Sequence, residues 1–115
     1  FTRKQLDNIL LKKIEILDAF EERLEVQFEK LSIKVDNDDS IWFSLFGELH
    51  TTGGTELKNS IEVVCVLYDK EGKILEQSTE YFRVDSFFGF EVFEFRFQED
   101  GIANEVGSIR IYPKK

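Results

Sequence analysis

The sequence predicts a mainly β fold, an antiparallel sandwich with one amphipathic helix packed on it at the N-terminus. Three observations carry this. Before Glu22 the apolar residues recur at helical spacing, whereas after it they alternate with polar ones. The alternating runs are short and separated by turn residues. One run, Asn59 to Gly72, is dense in β-formers and closes on an Asp-Lys-Glu-Gly turn, as a central strand entering a hairpin does.

Taken in order, the first element is the helix. Thr2-Arg3-Lys4-Gln5 has the spacing of a capping box, and Phe1 and Leu6 stand where a hydrophobic staple places them. Leu6, Ile9, Leu10, Ile14 and Leu17 then form one stripe, which predicts a helix from about Arg3 to Phe20. Leu24, Val26 and Phe28 alternate, as do Leu31, Ile33 and Val35. The phase slips between Phe28 and Leu31, which predicts a bulge, a bend or a strand switching sheets. Asp36 to Asp39 is read as a turn and Ile41 to His50 as the next strand. Its WFSLF stretch is apolar on both faces: Trp42 and Phe46 need a cover, and the N-terminal helix is the nearest candidate.

Gly53-Gly54 breaks the chain before a strand from about Ser60 to Asp69, apolar on both sides and therefore central. Lys73 to Val84 is more polar and reads as an exposed edge. Phe90 to Gln98 is a Phe-rich strand with a phase slip expected between Val92 and Phe93. Gly107 to Tyr112 is a last short strand, ended by Pro113.

A chain of 115 residues makes one domain, with 1–22 as helix and 23–115 as sandwich. Twelve Phe and no Met suit a pleated, half-buried surface. The net charge of −8 repels phosphate, which excludes nucleic acid as a partner and disfavours anionic membrane surfaces. No apolar run reaches the roughly 20 residues of a membrane span. Cys65 is the single cysteine, so it forms no internal disulfide, and between Val64 and Val66 it reads as a buried, inert thiol. The compartment stays open. A start at Phe1 rather than Met fits a piece excised from a larger protein.

Leu67-Tyr68-Asp69 followed by Gly72 resembles the FxLYD family, an immunoglobulin-like β-sandwich domain of prokaryotic, often cell-envelope-associated, proteins. The family motif has an aromatic two positions before the Leu, where this chain has Cys65. Ile74-Leu75 fits the second hairpin arm. Gly89 before Phe93, Phe95 and Phe97 fits the family's Gly-then-aromatic strand. The resemblance covers Asn59 to Phe97 and implies an immunoglobulin-like sandwich of six or seven strands. It implies no chemistry. A generic sandwich is the other reading, since any buried strand entering a hairpin favours Asp and Gly at those places.

Each catalytic or cofactor constellation lacks a member. His50 is the only histidine, without the partners of a triad or zinc site, and reads as solvated beside a turn. Asp36, Asp38 and Ser40 have the alternate spacing of a calcium loop, but Ile41 stands where such a loop requires Gly. Gly53-Gly54 is followed by no Gly-Lys-Ser/Thr and is a hairpin turn, not a phosphate loop. Glu76, Glu80, Asp85, Glu91 and Glu94 read as a solvated sheet face.

The positive signal is aromatic. Phe87-Phe88-Gly89-Phe90 either plugs the open end of the sandwich or is exposed for interaction; Trp42 and Phe46 pose the same question. The sequence thus points to a non-catalytic binding domain without cofactor or metal, working through Trp42, Phe46, Phe87, Phe88 and Phe90. Its partner is another protein or a second copy. An apolar-ligand pocket between helix and sheet is the alternative.

Overall fold

The computed structural model describes residues 3–36, 42–54 and 56–115. Its first departure from expectation is the helix. One helix to Phe20 is replaced by α1 (Arg3–Lys12), a three-residue strand β1 (Ile14–Ile16) and a short helix α2 (Asp18–Leu24). Ile14 and Ile16 satisfy a period of two as well as Ile14 and Leu17 satisfy a helical one. Tertiary pairing decides between them: β1 runs parallel to the last strand, β7 (Val106–Lys114), with Ile14 beside Ile109 and Ile16 beside Ile111. Lys13 locks the junction, its carbonyl accepting from the Ile109 N–H at 3.1 Å and its Nζ donating to the Val106 carbonyl at 2.7 Å. Glu25, left-handed at φ 57°, ends α2. The Thr2 capping box and the Phe1 staple lie outside the described residues.

The remaining elements are β2 (Val26–Asp36), β3 (Trp42–Thr51), β4 (Ile61–Asp69), β5 (Ile74–Phe82), a single 3-10 turn at Val84–Ser86, β6 (Phe90–Phe97), and a one-turn helix α3 (Ile102–Glu105) before β7. Two sheets form, with orders β1-β7-β4-β5 and β2-β3-β6. Apart from β1 on β7, every pairing is antiparallel. Side chains of both sheets and Leu10 of α1 make one buried core, so the architecture is that of a β-sandwich. Burial of each large side chain there stabilises by about 1.5–3 kcal/mol.

The phase slip after Phe28 is a bulge in β2 between Glu29 and Ser32, with Lys30 at φ 56°. β4 is central, between β7 and β5. Val64 and Val66 on its outer side are buried, paired in register with Tyr112 and Arg110 of β7. β5 is the polar edge strand expected.

Two readings are corrected. β6 has no phase slip: its pairing with β3 is unbroken from Phe97 opposite Phe43 to Phe90 opposite His50. Phe93, Phe95 and Phe97 face the core, and Phe90 and Val92 simply occupy the outer face. β7 also runs through Pro113, which stands opposite Val63. β1 stops at the level of Ile111, so beyond it a residue without an N–H deprives no neighbouring strand on that side.

The β4–β5 turn is built by Asp69. Its Oδ1 accepts from the N–H groups of Glu71 (2.8 Å) and Lys73 (2.9 Å), and Gly72 takes φ 84°. The outer edge of β2 is closed by acidic side chains from the helices. Asp7 of α1 accepts from the Val35 N–H at 2.7 Å, and Glu21 of α2 from the Phe28 N–H at 2.8 Å.

Burial raises the Glu21 carboxyl above its usual 4.5; the Phe28 N–H opposes this, and Asp18 and Glu22 add to it. A raised folded-state value means that the native state holds this proton more tightly than the unfolded chain. The resulting stabilisation is complete below pH 4.5 and is lost as the pH rises through the folded-state value. Glu21→Gln keeps an acceptor for Phe28 and removes the charge. Its stability relative to the parent should therefore rise from below pH 4.5 to neutrality, measured by urea unfolding at each pH. A pH-independent difference would show that Glu21 is not desolvated.

Candidate functional site

Because side chains alternate across a strand, the outer face of the three-stranded sheet follows from register alone. It carries Gln27, Glu29, Ser32, Lys34 and Asp36 from β2, Trp42, Ser44, Phe46, Glu48 and His50 from β3, and Phe90, Val92, Glu94 and Arg96 from β6. Trp42, paired with Asp36 at one end, is half-buried against the core, and Phe46 is half-buried at mid-sheet. α1 lies along β2 at the sheet's margin, where Asp7 meets Val35 and Leu10 enters the core.

The Phe87–Phe90 segment divides between its two readings. Phe87 is 2% exposed and meets Phe82 edge-on at 6.1 Å, so it plugs the core and is no part of an interaction surface. Phe88 is 83% exposed and Phe90 50%. Val92, 64% exposed, joins them and was missed. A phase slip expected between Val92 and Phe93 hides its face; unbroken alternation back from Phe93, Phe95 and Phe97 reveals it. The strip Phe46–Val92–Phe90, with Phe88 beyond its end, is the main apolar feature of this face.

His50 stands one residue from the end of β3, beside the Thr52–Gly54 bend as expected, but it is half-buried rather than solvated. Its ring stacks on Phe90 with centroids 5.0 Å apart and planes at 9°. Nδ1 lies 3.1 Å from Glu29 Oε2 and Nε2 lies 2.8 Å from Glu48 Oε1. Since Glu29 and Glu48 are directly opposite in register, the imidazole separates two like charges and braces all three strands.

The other acidic residues are distributed. Arg96 bonds Glu94 at 2.8 Å and holds its carboxyl below the ordinary value. Arg83 bonds Asp85 at 3.1 Å. Glu76 differs: burial, then Glu99, raise its carboxyl, and one of its oxygens is shut off from water without a hydrogen-bond partner among the described residues. Among the described residues no three His, Cys, Asp or Glu are grouped to hold a metal ion. Asp38, Ser40 and Ile41 of the calcium reading lie outside the described residues. Cys65 is fully buried, and burial pushes its thiol up to about 12, which makes it inert as expected.

A cleft of about 300 Å³ lies between α2 and the end of β7. Phe20, Leu24 and Pro113 make its floor, and Arg23, Lys114 and Lys115 its rim. Phe20 is fixed there by edge contact with Tyr112 at 5.6 Å. Among the described residues, no helix is long and apolar enough to cross a membrane.

Comparison of the chain with protein-family models, with curated proteins and with solved structures returns no match.

Proposed function

We propose that this chain is a non-catalytic interaction domain of the immunoglobulin-like, FxLYD-like kind, acting on another protein through the outer face of the β2–β3–β6 sheet. Strand pairing supports the topology. β3 pairs with β6 in one sheet and β4 with β7 in the other, as strands B with E and C with F pair in an immunoglobulin sandwich. β1 then stands where the last strand does, in parallel orientation. The Asp69 turn supports the family likeness, because Leu67, Tyr68, Asp69 and Gly72 lead β4 into the hairpin as that motif requires.

One observation carries the function: Phe88, Phe90 and Val92 expose large apolar surface next to half-buried Phe46, on a sheet face rather than singly. Such a strip is costly in water unless something covers it.

The test uses a neutral solvatochromic dye, Nile red, because the acidic surround repels anionic probes. Native protein should bind the dye with blue-shifted emission. Val92→Lys should weaken binding about tenfold, the scale of losing a buried aliphatic contact, without changing Tm. Absence of dye binding, or binding indifferent to Val92→Lys, would remove the basis of the proposal.

A further inference from the structure

We infer that the open side of the sandwich, between the free edges of β5 and β6, takes an extended basic segment of a partner protein as an added strand on β6. This rests on the interaction reading above and names the chemistry of the partner.

The sheet edges are not alike. On β2, the outward N–H groups of Phe28 and Val35 are already engaged by Glu21 and Asp7. β6 is flanked by β3 on one side only, and among the described residues no backbone hydrogen bond from outside its sheet reaches residues 90–97. A strand turns half of its backbone donors and acceptors to each side, so β6 offers such a row along the stretch that β5 does not approach. In a constant-type immunoglobulin sandwich a fourth strand lies there.

Beside this edge, between Leu75, which packs against the core, and buried Phe82, the core-facing phase of β5 is polar. Glu76, Ser78 and Glu80 stand opposite Leu67, Cys65 and Val63, all core residues. Phe82 closes one end of the opening through its ring contacts with Phe87 and Phe93. Toward the other end, Glu76 feels the charge of Glu99 and holds its sequestered oxygen, unpartnered among the described residues. Two repelling carboxylates with a free acceptor between the sheets fit an ammonium or guanidinium group. Glu91, on the core-facing phase of β6 opposite Leu49, places a further carboxylate toward the Phe82 end, away from the Glu76–Glu99 pair.

The occupant's pattern follows from strand alternation. Residues pointing into the sandwich meet Glu76, Glu80 and Glu91 and are Lys or Arg. Residues pointing outward lie beside Phe90 and Val92 and are apolar. Main-chain bonds to β6 supply affinity, and the alternate side chains supply specificity. The net charge of −8 steers such a segment inward. A second copy of β6 fits poorly, because neither of its phases is basic: one carries Glu91 with Phe93, Phe95 and Phe97, the other Glu94 with a single Arg96.

The experiment titrates isotope-labelled protein with a synthetic peptide of alternating Lys and Val, as long as the 8 residues of β6. Two controls accompany it: the same peptide with Glu for Lys, and one of identical composition without alternation. Amide shifts should centre on β6 and β5, and both controls should bind at least about tenfold more weakly. Glu76→Gln and Glu80→Gln should each weaken binding about threefold, the scale of one exposed ion pair, with Nile red binding unchanged.

No peptide binding, equal binding of a control, or shifts centred on β2 overturns the inference. So does a dimer formed through β6 without peptide, seen by sedimentation equilibrium. If dye binding at Val92 persists while the peptide fails, the interaction surface stands and only its partner's chemistry is wrong. If dye binding is also missing, both readings fall.

Discussion

Replacing Phe93 with alanine should lower stability by about 3–5 kcal/mol, the cost of emptying a large aromatic site in a packed core. Phe93 is 2% exposed and joins both sheets: its ring meets Phe28 of β2 at 5.8 Å, Phe95 at 5.5 Å and Phe82 of β5 at 6.4 Å. No other ring contact named above reaches from β6 across the opening to β5. Phe90→Ala, three residues earlier on the opposite face, should cost no more than about 1 kcal/mol, since half of that ring is exposed. Urea unfolding of the two variants checks this directly. Equal losses would mean that β6 is out of the register described.

Phe93 also explains Gly47. A Cβ at that position would lie 2.6 Å from both the Phe93 ring and Leu31, the residue thrown inward by the bulge of β2. Gly47→Ala and Phe93→Ala are therefore coupled. The added methyl occupies space that the lost ring vacates, so the double variant should be more stable than the sum of the single losses implies.

The second large effect is expected at Gly107. A Cβ there would stand 2.5 Å from the Asp69 carbonyl oxygen and 2.7 Å from the Lys70 Cα. Both obstacles are backbone, and Asp69 is held by the turn that its own side chain organises. Gly107 sits at the irregularity of the β4–β7 ladder, where Tyr68 faces Ser108 but Asp69 faces Val106. Nothing nearby swings aside, so Gly107→Ala should cost about 3 kcal/mol. Gly53→Ala is the matched control, with nothing within 4 Å of an added Cβ, and should be nearly neutral. Thermal unfolding of the pair decides it; a stable Gly107→Ala would mean that β4 and β7 separate locally more easily than their pairing suggests.

Parts of the fold were legible because one local rule decided them. The break in alternation after Phe28 requires a bulge, a bend or a change of sheet, and of these the bulge is there. The doubly apolar run of Ile61 to Leu67 suits only a central strand, and the polar run of Glu76 to Glu80 only an edge. Ile14 to Ile16 was illegible for the opposite reason. Three residues satisfy helix and strand periods equally, and the deciding hydrogen bonds come from Ile109 and its neighbours, more than ninety positions away. Within the site, the aromatic surplus was visible, but its division was not. Phe87 and Phe88 are identical in type and adjacent, and only the position of Phe82 makes one core and the other surface. The setting of His50 likewise depends on a pairing of Glu29 with Glu48 that no spacing in the sequence reveals.

Cys65 has a practical consequence. It is the chain's lone sulfur atom, enclosed on the core side of β4 between Ser78 of β5 and Ile111 of β7. An alkylating reagent gains access when the two layers part, and the native protonated thiol does not react meanwhile. The speed of chemical tagging at this atom therefore reports how often the sandwich opens, without an introduced label. The protein carries a clock for its own breathing.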